Sequence, residues 1–126
     1  LVSHSKKITD GLKEMITEMT GEDARIFSAG GTDDGRLGTS APIIMEKIEA
    51  CQNCNRILIF CDVGSSILSA EAALDLMDED LKEKCLIVDA PLVEGAFVAG
   101  VQSLATDNLE DILNELSQLK VISKFS

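Results

Sequence analysis

The chain carries one histidine, His4, in the context Val2-Ser-His-Ser5. A free imidazole titrates near pH ~6.5, so at neutral pH it is available as a nucleophile or general base. A lone histidine is also often a surface or capping residue, so its chemistry depends on what stands beside it. Asp62 follows the apolar run Ile57-Leu-Ile-Phe-Cys61 and opens Asp62-Val-Gly-Ser-Ser66. A carboxylate there can accept a hydrogen bond from the ring N–H of His4, setting the tautomer and leaving the other nitrogen free to attack. Its plainer role is to cap the helix that follows, and the two roles are compatible. Gly64, Ser65 and Ser66 would place backbone N–H groups at that helix N-terminus, where a phosphoryl group's charge is stabilised, although capping alone would account for the serines. Thr39 and Ser40 join them as phosphate-site candidates and as caps of an earlier helix.

Other chemistries fit less well. The segment Gly30-Gly-Thr-Asp-Asp-Gly-Arg-Leu-Gly38 has neither the Lys-Ser/Thr ending of a P-loop nor the spacing of a dinucleotide fingerprint. Asp33 and Asp34 are read as a solvated turn or docking loop rather than a metal site. A phospho-aspartate receiver is excluded because the first strand ends in Ser-His, not in an acidic pair. Cys51 and Cys54 form one C-x-x-C without a second pair, and they precede a strand where a redox motif would follow one. Cys61 and Cys85 lie in apolar runs. Reduced, structural thiols are expected, with no metal and no cofactor.

These residues need elements to position them. Ile8, Leu12, Met15, Ile16 and Met19 recur at helical spacing and predict a helix over 5–20 closed by Gly21. Short strands are expected at 1–3, where the numbering opens as if in mid-element, at 25–29, at 57–61 and at 85–88. A helix capped by Thr39 or Ser40, with Pro42 in its first turn, would bury Ile44, Ile48 and Cys51. Another over 66–79 carries Leu68, Ala72 and Leu76. Residues 91–105 are apolar on nearly every side, with Gly95 and Gly100 among them, which points to a subunit interface and most simply a homodimer. Leu109, Ile112, Leu113, Leu116 and Leu119 mark a last amphipathic helix. The alternation predicts an α/β, doubly wound, mainly parallel four-stranded sheet with helices on both faces. Ligands bind such sheets at the carboxyl ends of the strands, and there every polar cluster named above falls.

Composition bounds the partners. The chain has 126 residues, 45% of them hydrophobic, which suits a single domain over 1–126 with its own core. Eleven basic against 22 acidic side chains give a formal charge of −11, which repels nucleic acid and anionic membrane. The absence of Trp and Tyr removes any stacking platform for bases. With no spanning segment or signal-peptide core, a cytoplasmic protein is expected.

Val2-Ser-His-Ser5, Gly35-Arg-Leu-Gly-Thr-Ser40, Asp62-Val-Gly-Ser-Ser66, Ser69-Ala-Glu-Ala-Ala-Leu74 and Ala90-Pro-Leu-Val-Glu-Gly95 together resemble the phosphotransferase subunits of bacterial dihydroxyacetone kinases. These belong to the mannose-type enzyme IIA fold of the phosphoenolpyruvate-dependent phosphotransferase system. The resemblance implies that His4 accepts a phosphoryl group from the phosphocarrier protein HPr and passes it to ADP on the kinase's nucleotide-binding subunit, with Asp62 orienting the ring. A sugar-specific IIA protein that donates to a IIB protein, and a non-enzymatic ligand-binding or regulatory module, are the competing readings. The Ser-His-Ser context differs from the Thr-His-Gly expected of sugar-transporting members.

Overall fold

Ser5 sits in extended backbone and its hydroxyl accepts the Ile8 N–H, so the chain turns into helix α1, Lys6–Thr20, directly after His4. The helix buries Thr9, Leu12, Ile16 and Thr20 and ends at Gly21, whose φ of 69° suits a residue without Cβ. The computed structural model describes residues 1–120. Ser40 starts α2, Ala41–Ala50, by accepting the Ile43 N–H, and α2 buries Ile44 and Ile48.

Among the described residues two regular strands form, β1 at Ile57–Ile59 and β2 at Cys85–Ile87. They pair in parallel with Ile57 opposite Cys85 and Ile59 opposite Ile87. The expected four-stranded sheet is therefore not present as regular strands. Val2 makes a single parallel bridge to Cys61, its N–H donating to the Phe60 carbonyl at 2.8 Å. On its other side, the Ala29 and Gly31 N–H groups donate to the Leu1 and Ser3 carbonyls at 2.8 and 3.0 Å. With the Leu1 amino group donating to the Phe27 carbonyl at 2.9 Å, residues 27–31 run alongside residues 1–3 without forming a regular strand.

The 57–61 run feeds two layers. Ile57, Ile59 and Cys61 pack with Ile44, Ile48, Ala70 and Ala73 on one face. Phe60, with Leu58 against it, packs with Leu12, Ile16, Leu92, Ala96, Ala99, Ile112 and Leu116 on the other. This is the period-2 alternation of a strand covered on both sides. Ile16 is fully buried, and truncating such a side chain to Ala costs about 2–5 kcal/mol.

The helices after β1 depart from expectation. Helix α3 spans Gly64–Asp75 rather than 66–79, and a separate short helix, α4, covers Glu79–Lys82. α3 buries Ser66, Ala70 and Ala73, whereas Leu68 and Leu76 are 68% and 70% exposed. Small residues let α3 lie close to α2, and that packing turns the leucines outward. Helix α5, Leu92–Ala105, leaves Val93, Val101 and Leu104 uncovered by its own chain, which is compatible with the interface expected of it. Its glycines are used inside the chain. A Cβ at Gly100 would lie 2.7 Å from Ile16 Cγ2, and one at Gly95 would lie 3.1 Å from the Phe60 ring. Asn108 caps α6, Leu109–Ser117, by accepting the Glu110 and Asp111 N–H groups. No helix among the described residues is long and apolar enough to cross a membrane.

Candidate phosphoryl-acceptor site

The bridge between Val2 and Cys61 decides the site, because two parallel segments held there carry the next residues, Ser3-His4 and Asp62-Val63, out of the sheet side by side. His4 Nδ1 lies 3.0 Å from Asp62 Oδ1, and the His4 backbone N–H donates to Asp62 Oδ2 at 3.0 Å. The Val63 N–H donates to Oδ1 at 2.7 Å, and the Ser3 hydroxyl donates to Oδ2 at 2.8 Å. Burial alone would raise the Asp62 pKa. The His4 N–H, the Ser3 hydroxyl and the Val63 N–H outweigh it and hold the carboxyl well below the usual carboxylate range. An ionised carboxylate only accepts, so Nδ1 is the protonated ring nitrogen and donates to it.

That leaves Nε2 as the acceptor nitrogen, and the Ser65 hydroxyl, 2.5 Å away, donates to it. Ser65 lies in the first turn of α3, a 12-residue helix whose leading N–H groups have no intrahelical acceptor and whose dipole favours an anion. The side chains of His4 and Asp62 are 32% and 20% exposed, so the ring is open on one side and supported on the other.

The remaining candidates divide. Gly64 and Ser65 stand at the helix N-terminus beside Nε2. Ser66 is fully buried, and its hydroxyl and N–H both donate to the Val63 carbonyl, so it shapes the turn. Ser40 donates to Asp33 at 2.7 Å while capping α2, which employs its hydroxyl structurally. The Thr39 hydroxyl pairs with Ser69 on α3 at 2.5 Å, tying the glycine loop to that helix. The Gly38 N–H donates to the His4 carbonyl at 2.7 Å and fastens the same loop to the histidine's own backbone.

Ser3, which its residue type alone does not single out, is fully buried and bonded to Asp62. Its only signal was its place next to His4. The four thiols are free. Burial pushes Cys51 up to about 11 and raises Cys61 as well, so neither is a thiolate nucleophile at neutral pH.

A family profile for the EIIA-man group, described as the PTS system fructose IIA component, matches residues 1–113, and the chain belongs to this family. Within it, the chain is 60% identical over 119 residues to the phosphoryl donor subunit DhaM of PEP-dependent dihydroxyacetone kinase 2 from Listeria innocua serovar 6a, a match covering 94% of this chain and 95% of that one. It is 32% identical over 121 residues to the phosphotransferase subunit DhaM of the PTS-dependent dihydroxyacetone kinase of Lactococcus lactis, covering 96% and 94%. Against the Escherichia coli K12 phosphoryl donor subunit the identity is 34% over 116 residues, and the chain spans 25% of that longer protein. A crystal structure of a protein described as of unknown function, EF1359, superposes with a TM-score of 0.84 at 47% identity, covering 92% of this chain and 88% of that one.

Proposed function

We propose that this chain is the phosphoryl donor subunit of a phosphoenolpyruvate-dependent dihydroxyacetone kinase, acting in the cytoplasm as a single domain over 1–126 and as a homodimer. His4 receives the phosphoryl group on Nε2 from the phosphocarrier protein HPr and passes it to ADP on the nucleotide-binding subunit. The observation that carries this reading is the division of the ring. Nδ1–H is held by Asp62, and Nε2 faces the N-terminus of α3.

The Nε2 lone pair attacks phosphorus, the donor's N–P bond breaks, and its electron pair stays on the donor nitrogen. Because Nδ1 keeps its proton, the ring gains positive charge as the new N–P bond forms, and the ionised Asp62 offsets it. The equatorial oxygens meet the first N–H groups of α3 and the Ser65 hydroxyl, which suits a transfer that depends on positioning and charge. In the second step a β-phosphate oxygen of ADP attacks the same phosphorus and Nε2 departs as it arrived. No cofactor is called for by these steps.

The four-stranded sheet remains our reading of the hydrogen bonds that Ala29 and Gly31 make to residues 1–3. The homodimer reading rests on Ile8, Met15 and Met19 of α1 and Val93, Val101 and Leu104 of α5, exposed on two helices packed side by side. Light scattering across concentration should report twice the chain mass.

The relay is tested by intact mass and peptide mapping after incubation with phosphoenolpyruvate, enzyme I and the carrier. An acid-labile phosphoryl group on His4 is expected. A chain without label, beside a carrier verified as phosphorylated, overturns the reading.

A further inference from the structure

We propose that Leu37 and Leu68 are the apolar contacts on which the phosphocarrier protein seats when it delivers its phosphoryl group. This rests on the reading above that the donor to His4 is a protein. Leu37 is 80% exposed and Leu68 is 68% exposed. Leu37 precedes Gly38, which is bonded to the His4 carbonyl, and Leu68 lies one turn along α3 from Ser65, which is bonded to Nε2.

Leu37 is displayed by a stiff turn. The Thr32 N–H donates to the Arg36 carbonyl and the Gly35 N–H to the Thr32 carbonyl, each at 3.0 Å. The Arg36 N–H donates to Thr32 Oγ1 at 3.1 Å, and its Nε donates to Asp34 at 2.7 Å. The next residue, Gly38, is bonded to the His4 carbonyl. Leu37 is thus pre-ordered beside the nucleophile, which lowers the entropy lost when a partner covers it.

Leu68 lies three residues beyond Ser65, on the same face of α3, and Ser65 touches Nε2. Its neighbour Ser69 is joined to Thr39, which ties the loop to the helix. Val63 and Ile67, 61% and 40% exposed, extend the apolar surface from the residue after Asp62.

A small donor could reach Nε2 without any of these side chains, whereas a protein donor must lay its surface over them. The Asp34 charge is met by Arg36, but Asp33 in the same loop, Glu71 one turn beyond Leu68 and a whole-chain charge of −11 favour a partner that sets basic residues around its apolar centre. Nucleic acid and anionic lipid lack that apolar centre.

The test compares two donors on Leu37→Ser, Leu68→Ser and Leu76→Ser, the last an equally exposed leucine at the far end of α3. With the phosphorylated carrier, kcat/KM should fall about tenfold for each of the first two, mainly through KM, and stay unchanged for Leu76→Ser. With phosphoramidate, a small chemical donor that needs no docking, all three should label His4 at the wild-type rate. Unchanged carrier kinetics, an equal loss with phosphoramidate, or a loss confined to discharge onto the nucleotide subunit each overturn the docking proposal. A wild-type chain that phosphoramidate labels and the carrier does not overturns the relay reading, and the docking surface falls with it.

Discussion

Ser3 and Asp62 are joined by a 2.8 Å hydrogen bond from a fully buried hydroxyl to Oδ2, on the side of the carboxylate away from its contact with the imidazole. The same hydroxyl accepts the Ser5 N–H at 3.1 Å, so the residues on both sides of His4 brace the group that orients it.

Replacing Ser3 by Ala should therefore act through Asp62. The change removes one donor from the carboxylate and the acceptor of the Ser5 N–H, a loss of about 1–3 kcal/mol. Urea unfolding measures that part. The phosphorylation rate should fall several-fold, with kcat lowered more than KM, and an unaltered rate would show that the remaining bonds suffice to hold the carboxylate.

Asp62→Asn keeps the shape and reverses the tautomer. An amide N–H facing Nδ1 makes that nitrogen the acceptor and places the proton on Nε2, where it blocks attack. By analogy with the orienting aspartate of serine hydrolases, phosphorylation should slow by about 10²–10⁴-fold while the circular dichroism spectrum is unchanged. The ¹⁵N shifts of the ring report the tautomer directly, and a wild-type rate would remove Asp62 from the mechanism.

The depressed pKa of Asp62 makes stability depend on acid. Its folded value lies below its unfolded value, so its contribution is complete above the unfolded pKa of about 3.9 and drains away as pH falls from there toward the folded value. Urea midpoints measured from pH 7 to pH 3 should decline more gently below pH ~4 in Asp62→Asn than in the wild type. Parallel curves would contradict the assignment.

Gly30 is required by a close approach. A Cβ there would overlap Thr9 Oγ1 and lie 2.5 Å from the Ser5 carbonyl oxygen, the backbone that caps α1 just after His4. Gly30→Ala should cost about 1–3 kcal/mol in stability and slow phosphorylation by shifting Ser5. Gly35→Ala, where φ is +81° but nothing lies within 4 Å, should cost about 1 kcal/mol and spare the chemistry. Thermal melts paired with labelling rates separate the two cases.

Cys51 should resist alkylation in the folded protein. It is 7% exposed and its thiol is pushed up to about 11, chiefly by burial, so iodoacetamide at pH 8 meets almost no thiolate. Mass mapping should find Cys51 unmodified until denaturant is added; rapid native labelling would show that the C-terminal end of α2 opens.

Much of this protein is legible in one dimension. The spacing of Ile8, Leu12, Met15, Ile16 and Met19 announces α1 because one apolar face must be buried, and Thr39 or Ser40 with Pro42 announces α2 because a hydroxyl there satisfies a free N–H locally. Ile57 to Cys61 reads as a doubly covered strand because alternate residues must face two apolar layers. His4 and Asp62 are identifiable as partners because both follow strand-like runs at one sheet edge. Tertiary packing decided the rest. Which side of α3 is buried could not be read from Leu68, Ala70, Ala73 and Leu76, since an apolar stripe of leucines and a close-packing stripe of alanines are both sound periodic patterns. Contact with α2 selects the small residues and turns the leucines to solvent. Which ring nitrogen of His4 is left as the acceptor is equally undetermined by residue identity. It follows from the orientation of one ring between Asp62 and Ser65, groups about sixty positions away along the chain, brought to it by the parallel bridge between Val2 and Cys61.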